Sequence, residues 1–136
     1  MNRCERHTFS KNERLCKTKL IDELFESGNV FYTSQFKVVW IISGINLPFP
    51  AQVAISIPKK TFRLAVTRNL IKRRIREVYR RIKQAFYDFL VSENIQVTFI
   101  LIYRQNTVAD FKIIEKSVGE VIEKLCDHIR KQQKKC

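Results

Sequence analysis

Acid is what this 136-residue chain is short of: 13 Asp and Glu stand against 26 Lys and Arg, for a formal net charge of +13 and a pI near 9.9. A balance so one-sided argues against a basic partner and for a polyanion. Glycine and proline are scarce, three of each, and neither a repeat nor a low-complexity segment is visible beyond the closing KQQKKC. No run approaches the roughly 20 apolar residues that a membrane span requires. The opening MNRCERHTFSKNERL lacks the apolar core of about seven residues that a secretory leader needs. The cysteines, Cys4, Cys16, Cys126 and Cys136, are scattered without a Cys-x-x-Cys or Cys/His pairing of zinc-ligand spacing. They read as reduced thiols, and the expected location is cytoplasmic. Hydrophobic residues are not scarce: they make up 45%, ten Phe among them, enough for the core of a single domain.

The densest feature is residues 66–89, VTRNLIKRRIREVYRRIKQAFYDF. Arg68, Lys72, Arg76, Arg80 and Lys83 recur at spacings of four and three. Ile71, Ile75, Val78, Ile82, Phe86 and Phe89 recur alongside them. The pattern predicts one helix with an apolar face to dock and a cationic face to present. Arg73, Arg74 and Arg81 widen that face. Glu77 is the only acid between Arg68 and Lys83, so ion pairing along the helix is expected to leave the charge unneutralised.

Around it the chain reads as α/β. A short helix is expected over 18–27, with Leu20, Ile21, Leu24 and Phe25 on one side and Gly28 ending it. Strands are expected over 35–42, 52–57 and 95–103. Gly44, Pro48 and Pro50 make a loop after the first, and Pro58 places the second at its end or at an edge. A last helix is expected over 110–130, buried through Ile114, Val118, Val121, Leu125 and Ile129. The basic helix then connects two strands and is their crossover if they are parallel. The domain is taken as 1–130, with a basic arm over 1–17, and 131–136 as a basic tail.

A self-sufficient nuclease would need clustered carboxylates to hold cations. Asp22, Glu23 and Glu26 on one turn are the best local group, but such charges are commonplace on helix surfaces, and the stripe Glu120, Glu123 and Asp127 is matched by lysines. His7 and His128 lie at opposite ends without a Ser, Cys or Asp pattern and read as solvated residues. A nucleic-acid binder outside any enzyme is the second alternative. A membrane-surface role is weaker, because strands before and after the basic helix cover its apolar face.

TFSKNERL at 8–15, LIDELFESG at 20–28, AISIPKKTFRLAVTRNLIKRRIRE at 54–77 and the apolar strand ending in Tyr103 and Arg104 resemble, in order and spacing, the protein subunit of bacterial ribonuclease P. The most specific part, 65–77, is similar to that family's Arg-Asn-Arg triplet followed by Ile-Lys-Arg and Arg-Glu. Two positions depart: Leu70 stands where the third triplet residue is Arg, and Pro58 where Ser is usual before the lysine pair. The resemblance implies an α+β fold, an α/β sandwich with a central mixed sheet of about four strands, three helices and a left-handed βαβ crossover, as in the second domain of the fifth small-subunit ribosomal protein. It implies the non-catalytic protein subunit of an endoribonuclease whose RNA subunit removes the 5′ leader of precursor tRNA, with magnesium held mainly by that RNA. Carried over by position, Arg68, Asn69, Lys72, Arg73, Arg76 and Arg80 would contact the RNA subunit. Ile21, Phe25, Phe36, Val39, Trp40, Lys59 and Lys60 would bind the leader, while no residue is expected to be catalytic or to bind metal. Phe25 reads equally well as core. Phosphate contacts without sequence information suit an enzyme serving many precursors, and exposed rings suit single-stranded RNA.

Overall fold

The computed structural model describes residues 18–42 and 49–134. The arm over 1–17 and residues 43–48 of the loop expected after the first long strand lie outside the described residues.

Seven elements follow in order: α1 (Thr18–Ser27), β1 (Asn29–Tyr32), β2 (Phe36–Ile42), β3 (Ala51–Ser56), α2 (Ala65–Ser92), β4 (Val97–Tyr103) and α3 (Phe111–Lys134). The sheet order is β1-β2-β4-β3; β4 pairs antiparallel with β2 and parallel with β3. The basic helix α2 is therefore the crossover between parallel neighbours, and β3, stopped before Pro58, is an edge strand.

Alternation along the strands gives the sheet two unlike faces. On one, Phe36, Val38, Trp40, Val53, Phe99, Leu101 and Tyr103 pack with Ile71, Ile75, Val78 and Phe86 of α2 and Ile114, Val118, Val121, Leu125 and Ile129 of α3. The other carries a smaller cluster, in which Leu24 of α1 sits on Val39 and Ile100, with Ile21, Ile41, Ala54 and Ile102 around them. Gly28 ends α1 by close approach rather than by a left-handed backbone. Its amide donates to the Leu24 carbonyl, and an added Cβ would stand 2.7 Å from Cγ1 of Val39.

β1 does not appear in the sequence reading. Four residues with Val30 and Tyr32 exposed carry no alternation long enough to register, and the strand exists through its pairing with β2. The Thr33 amide and hydroxyl, exchanging hydrogen bonds with Phe36, close the turn between them. At the far end of α2 the amide of Ile95 donates to the Leu90 carbonyl and that of Asn94 to Val91, with Asn94 at φ 56. This is a Schellman ending, in which Asn takes the left-handed position usually given to glycine. The final helix runs on through Lys131 to Lys134, so most of the segment read as a tail is helical.

Candidate nucleic-acid interface

α2 begins without help. Its N-cap, Leu64, offers no side-chain hydrogen bond and its first turn holds no acid, so neither a cap nor a local carboxylate offsets the positive end of the helix dipole. Beyond that end the charges divide by what they touch. Arg68, half-buried, donates from Nη1 to the carbonyls of Phe62 and Arg63, at 2.8 and 2.9 Å, and ties the incoming connection to the helix. Arg74 donates at 2.6 Å to the Ala109 carbonyl and holds the approach to α3. Glu77 takes two bonds from Arg80 and one from Arg81. The Arg80 bond, foremost, lowers the Glu77 carboxyl below its ordinary value. One acid thus occupies two of the arginines, where the sequence reading expected no neutralisation; Arg81 also lies 5.2 Å over the Phe111 ring.

Lys83 departs most from its expected place. It is 5% exposed, with its ammonium 5.6 Å from the Tyr87 ring centre. The buried positions pass from Ile71, Ile75 and Val78 to Lys83, Phe86, Tyr87 and Leu90. At about 100° per residue that stripe turns around the helix axis, and it runs under the last member of the cationic row. What remains open to a partner is the first half of α2. Asn69 and Arg73 are exposed and Lys72 is half-buried, and none has a hydrogen bond or ion pair among the described residues. Arg76 and Arg80 flank them, half-buried. Leu70, 38% exposed, shares this surface.

The seven residues expected at a leader cleft are not brought together. Phe25 is 61% exposed, Ile21 half-buried one turn before it, and Lys59 and Lys60 are exposed on the connection after β3. Val39 is on the same face of the sheet but covered by α1. Phe36 and Trp40, at 0% and 2% exposure, are on the opposite face among the side chains of the main core. They are corrected from cleft to core: neither leaves a ring face for a base. His128, expected in solvent, is half-buried: its ring stacks on Phe31 at 4.8 Å and meets Trp40 edge-on.

The face shared with α1 also carries two residues that were not among the expected leader contacts. Tyr32 is 54% exposed, and Arg104 places its guanidinium 4.8 Å from the Tyr32 ring centre while donating to the Thr33 carbonyl. The signal available was the alternation of Val30 and Tyr32 with buried Phe31, too short to weigh by itself.

Among the described residues no three His, Cys, Asp or Glu side chains come together as metal ligands. Asp22, Glu23 and Glu26 are exposed. Such a donor set does not fit a protein-borne magnesium centre. Cys126 is half-buried and free, its thiol pushed up by burial despite nearby Arg130. No helix among the described residues is long and apolar enough to cross a membrane.

The family model described as Ribonuclease P matches residues 9–126. A ribonuclease P protein component of Porphyromonas gingivalis is 28% identical over 120 residues, 88% of each chain. One of Buchnera aphidicola is 32% identical over 102 residues, 71% of this chain and 87% of that one. The solved RNase P protein of Thermotoga maritima superposes with a TM-score of 0.66 at 20% identity, over 82% of this chain and 96% of the other, a likeness of fold. An α+β chain with a cationic crossover helix and a match over most of its length belongs to the ribonuclease P protein family, the protein component of a tRNA-processing ribonucleoprotein.

Proposed function

We propose that the chain is the non-catalytic protein subunit of ribonuclease P, binding the catalytic RNA through the first half of α2 and the 5′ leader of precursor tRNA across the sheet face beside α1. The observation that carries this reading is the set Asn69, Lys72 and Arg73: two cations and an amide on one helix surface, unoccupied by any carboxylate among the described residues. Cations in this state displace the counterions condensed on nucleic-acid phosphates, which gives affinity without sequence preference. For the leader, Phe25 offers a ring face, Ile21 an aliphatic floor, and Lys59 and Lys60 charge beside the end of the sheet.

On this reading the protein performs no bond-making step. The phosphates of the RNA subunit would hold magnesium, which would supply Lewis acidity for the cleavage, since among the described residues the protein gathers no carboxylate cluster for it. The chain's own residues bind and orient the substrate: the helix cations fix the protein against the RNA subunit, and the sheet face distinguishes a precursor, which has a leader, from mature tRNA, which has none. A cytoplasmic setting follows from that substrate.

The test is cleavage of a precursor tRNA at low magnesium by the protein alone, by the cognate RNA subunit alone and by both. Cleavage only, or far more strongly, with both is expected. Cleavage by the protein alone would return the exposed carboxylates of α1 to consideration, and failure to stimulate the RNA would leave a nucleic-acid binder outside this enzyme.

A further inference from the structure

The sheet registers set up a line that the helix-centred reading does not use. Tyr32 pairs with Lys37, Lys37 with Ile102, and Ile102 with Ser56. Paired residues share a face, so these four side chains form a row straight across the sheet, on the face that bears α1. The row is about 14 Å long, three strand spacings, and ends on the β3 side just before the connection with Lys59 and Lys60. At the β1 end stands Tyr32, more than half exposed on an edge strand.

Two features make Tyr32 more than a surface tyrosine. Arg104 covers one side of its ring, and that guanidinium is itself held by the Thr33 carbonyl at 2.7 Å, so the ring is backed by an anchored cation. Lys37 is directly opposite, and no ion pair among the described residues ties Lys37 or Arg104 to a carboxylate. A ring backed by one cation, beside a second, with its other side more than half open to solvent is an arrangement that takes an unpaired base and its phosphates. A partner peptide would need acids against the cations and an apolar pocket beneath a side chain, whereas this row is flat and crossed by a lysine.

We propose that Tyr32, backed by Arg104 and flanked by Lys37, is a stacking platform for one nucleotide of single-stranded RNA, at the far end of a path that crosses the sheet from Lys59 and Lys60. The proposal rests on the leader reading above and extends it: it assigns a binding residue at the edge strand, beyond α1, and makes the length of the bound single strand a determinant of affinity. A strand too short to cross the row gains nothing from Tyr32.

The test is binding of octauridylate and triuridylate to the full chain, wild type and variants, by fluorescence anisotropy at fixed salt, with melting temperatures recorded alongside. Tyr32→Leu keeps bulk and removes the π-face, and is expected to weaken octauridylate about tenfold, within the range of one base stack, and triuridylate less than twofold. Tyr32→Trp is expected to bind octauridylate at least as tightly as wild type. Equal loss in both variants, with a lowered melting temperature, would make Tyr32 structural and overturn the platform. Wild-type binding by Tyr32→Leu, with weakening in the double variant Lys59→Ala, Lys60→Ala, would overturn the platform and leave the leader reading standing. Wild-type binding by all of them would remove both.

Discussion

The two faces of the sheet are made by the same strands and do opposite things. The face under α2 and α3 is closed, filled by Phe36, Trp40, Phe99 and Tyr103 and by the apolar sides of both long helices. Among the described residues the face under α1 is covered in its middle, by Leu24 on Val39 and Ile100, with Tyr32 exposed and Lys37 half-buried at one side. A ten-residue helix cannot roof four strands, and what it leaves uncovered is where rings and cations stand in solvent. Aromatic content therefore says little about binding in this chain; the face on which each ring falls decides.

The sharpest way to break that contrast is to remove one ring from each face. Trp40→Ala is expected to cost about 3 to 5 kcal/mol of stability, a large share of what a domain of this size has, read as the loss of the thermal or denaturant transition. Phe25→Ala is expected to leave unfolding almost untouched while weakening a leader-bearing precursor by about 1 to 3 kcal/mol relative to mature tRNA. A Phe25→Ala protein that melts early and binds both RNAs alike would place Phe25 with the core.

Along α2 the same contrast is drawn between cations that hold the fold and cations that are open. Lys72→Ala and Arg73→Ala are each expected to lower the slope of log affinity against log salt for the RNA subunit by about one phosphate, at unchanged stability. Arg68→Ala strips two backbone carbonyls of their donor and is expected to lower stability as well, by about 0.5 to 1.5 kcal/mol. Equal melting temperatures in all three variants would erase the distinction.

The smallest effect concerns Glu77. Its carboxyl is lowered by Arg80 first, so the clamp contributes stability that is present above the unfolded carboxyl value and is lost as pH falls through the lower folded one. Glu77→Gln is expected to be slightly destabilised at neutral pH and indistinguishable from wild type in acid. Releasing Arg80 and Arg81, it should steepen the salt dependence of RNA binding. An unaltered slope would mean that neither arginine faces the RNA.

Much of this was legible in the residues. α1 is found at its predicted bounds, and α2, β4 and α3 lie close to theirs, because each has a long, regular apolar repeat or a continuous β-branched run. β1 was not legible, since its existence depends on β2. The cleft went wrong for a reason that the sequence contains: strand side chains alternate, so Phe36 and Trp40 share one face and Val39 takes the other. Position-by-position transfer placed all three together, which no flat strand permits. Lys83 went wrong because a spacing of four and three tracks a straight line, whereas the buried stripe of a long helix drifts.

The position of β4 has a consequence for how the chain is made. It is the strand that joins β2 to β3, and it is the last of the four to be synthesised. Until it emerges, β2 has only the short β1 to pair with, β3 has no neighbour, and Trp40 and Phe36 face water on a nascent chain that cannot close its core. Every pairing that completes the sheet is long-range, which slows folding and prolongs the exposure of unpaired strand edges. The interior of this small domain is thus settled only once the ribosome has passed β4 and α3.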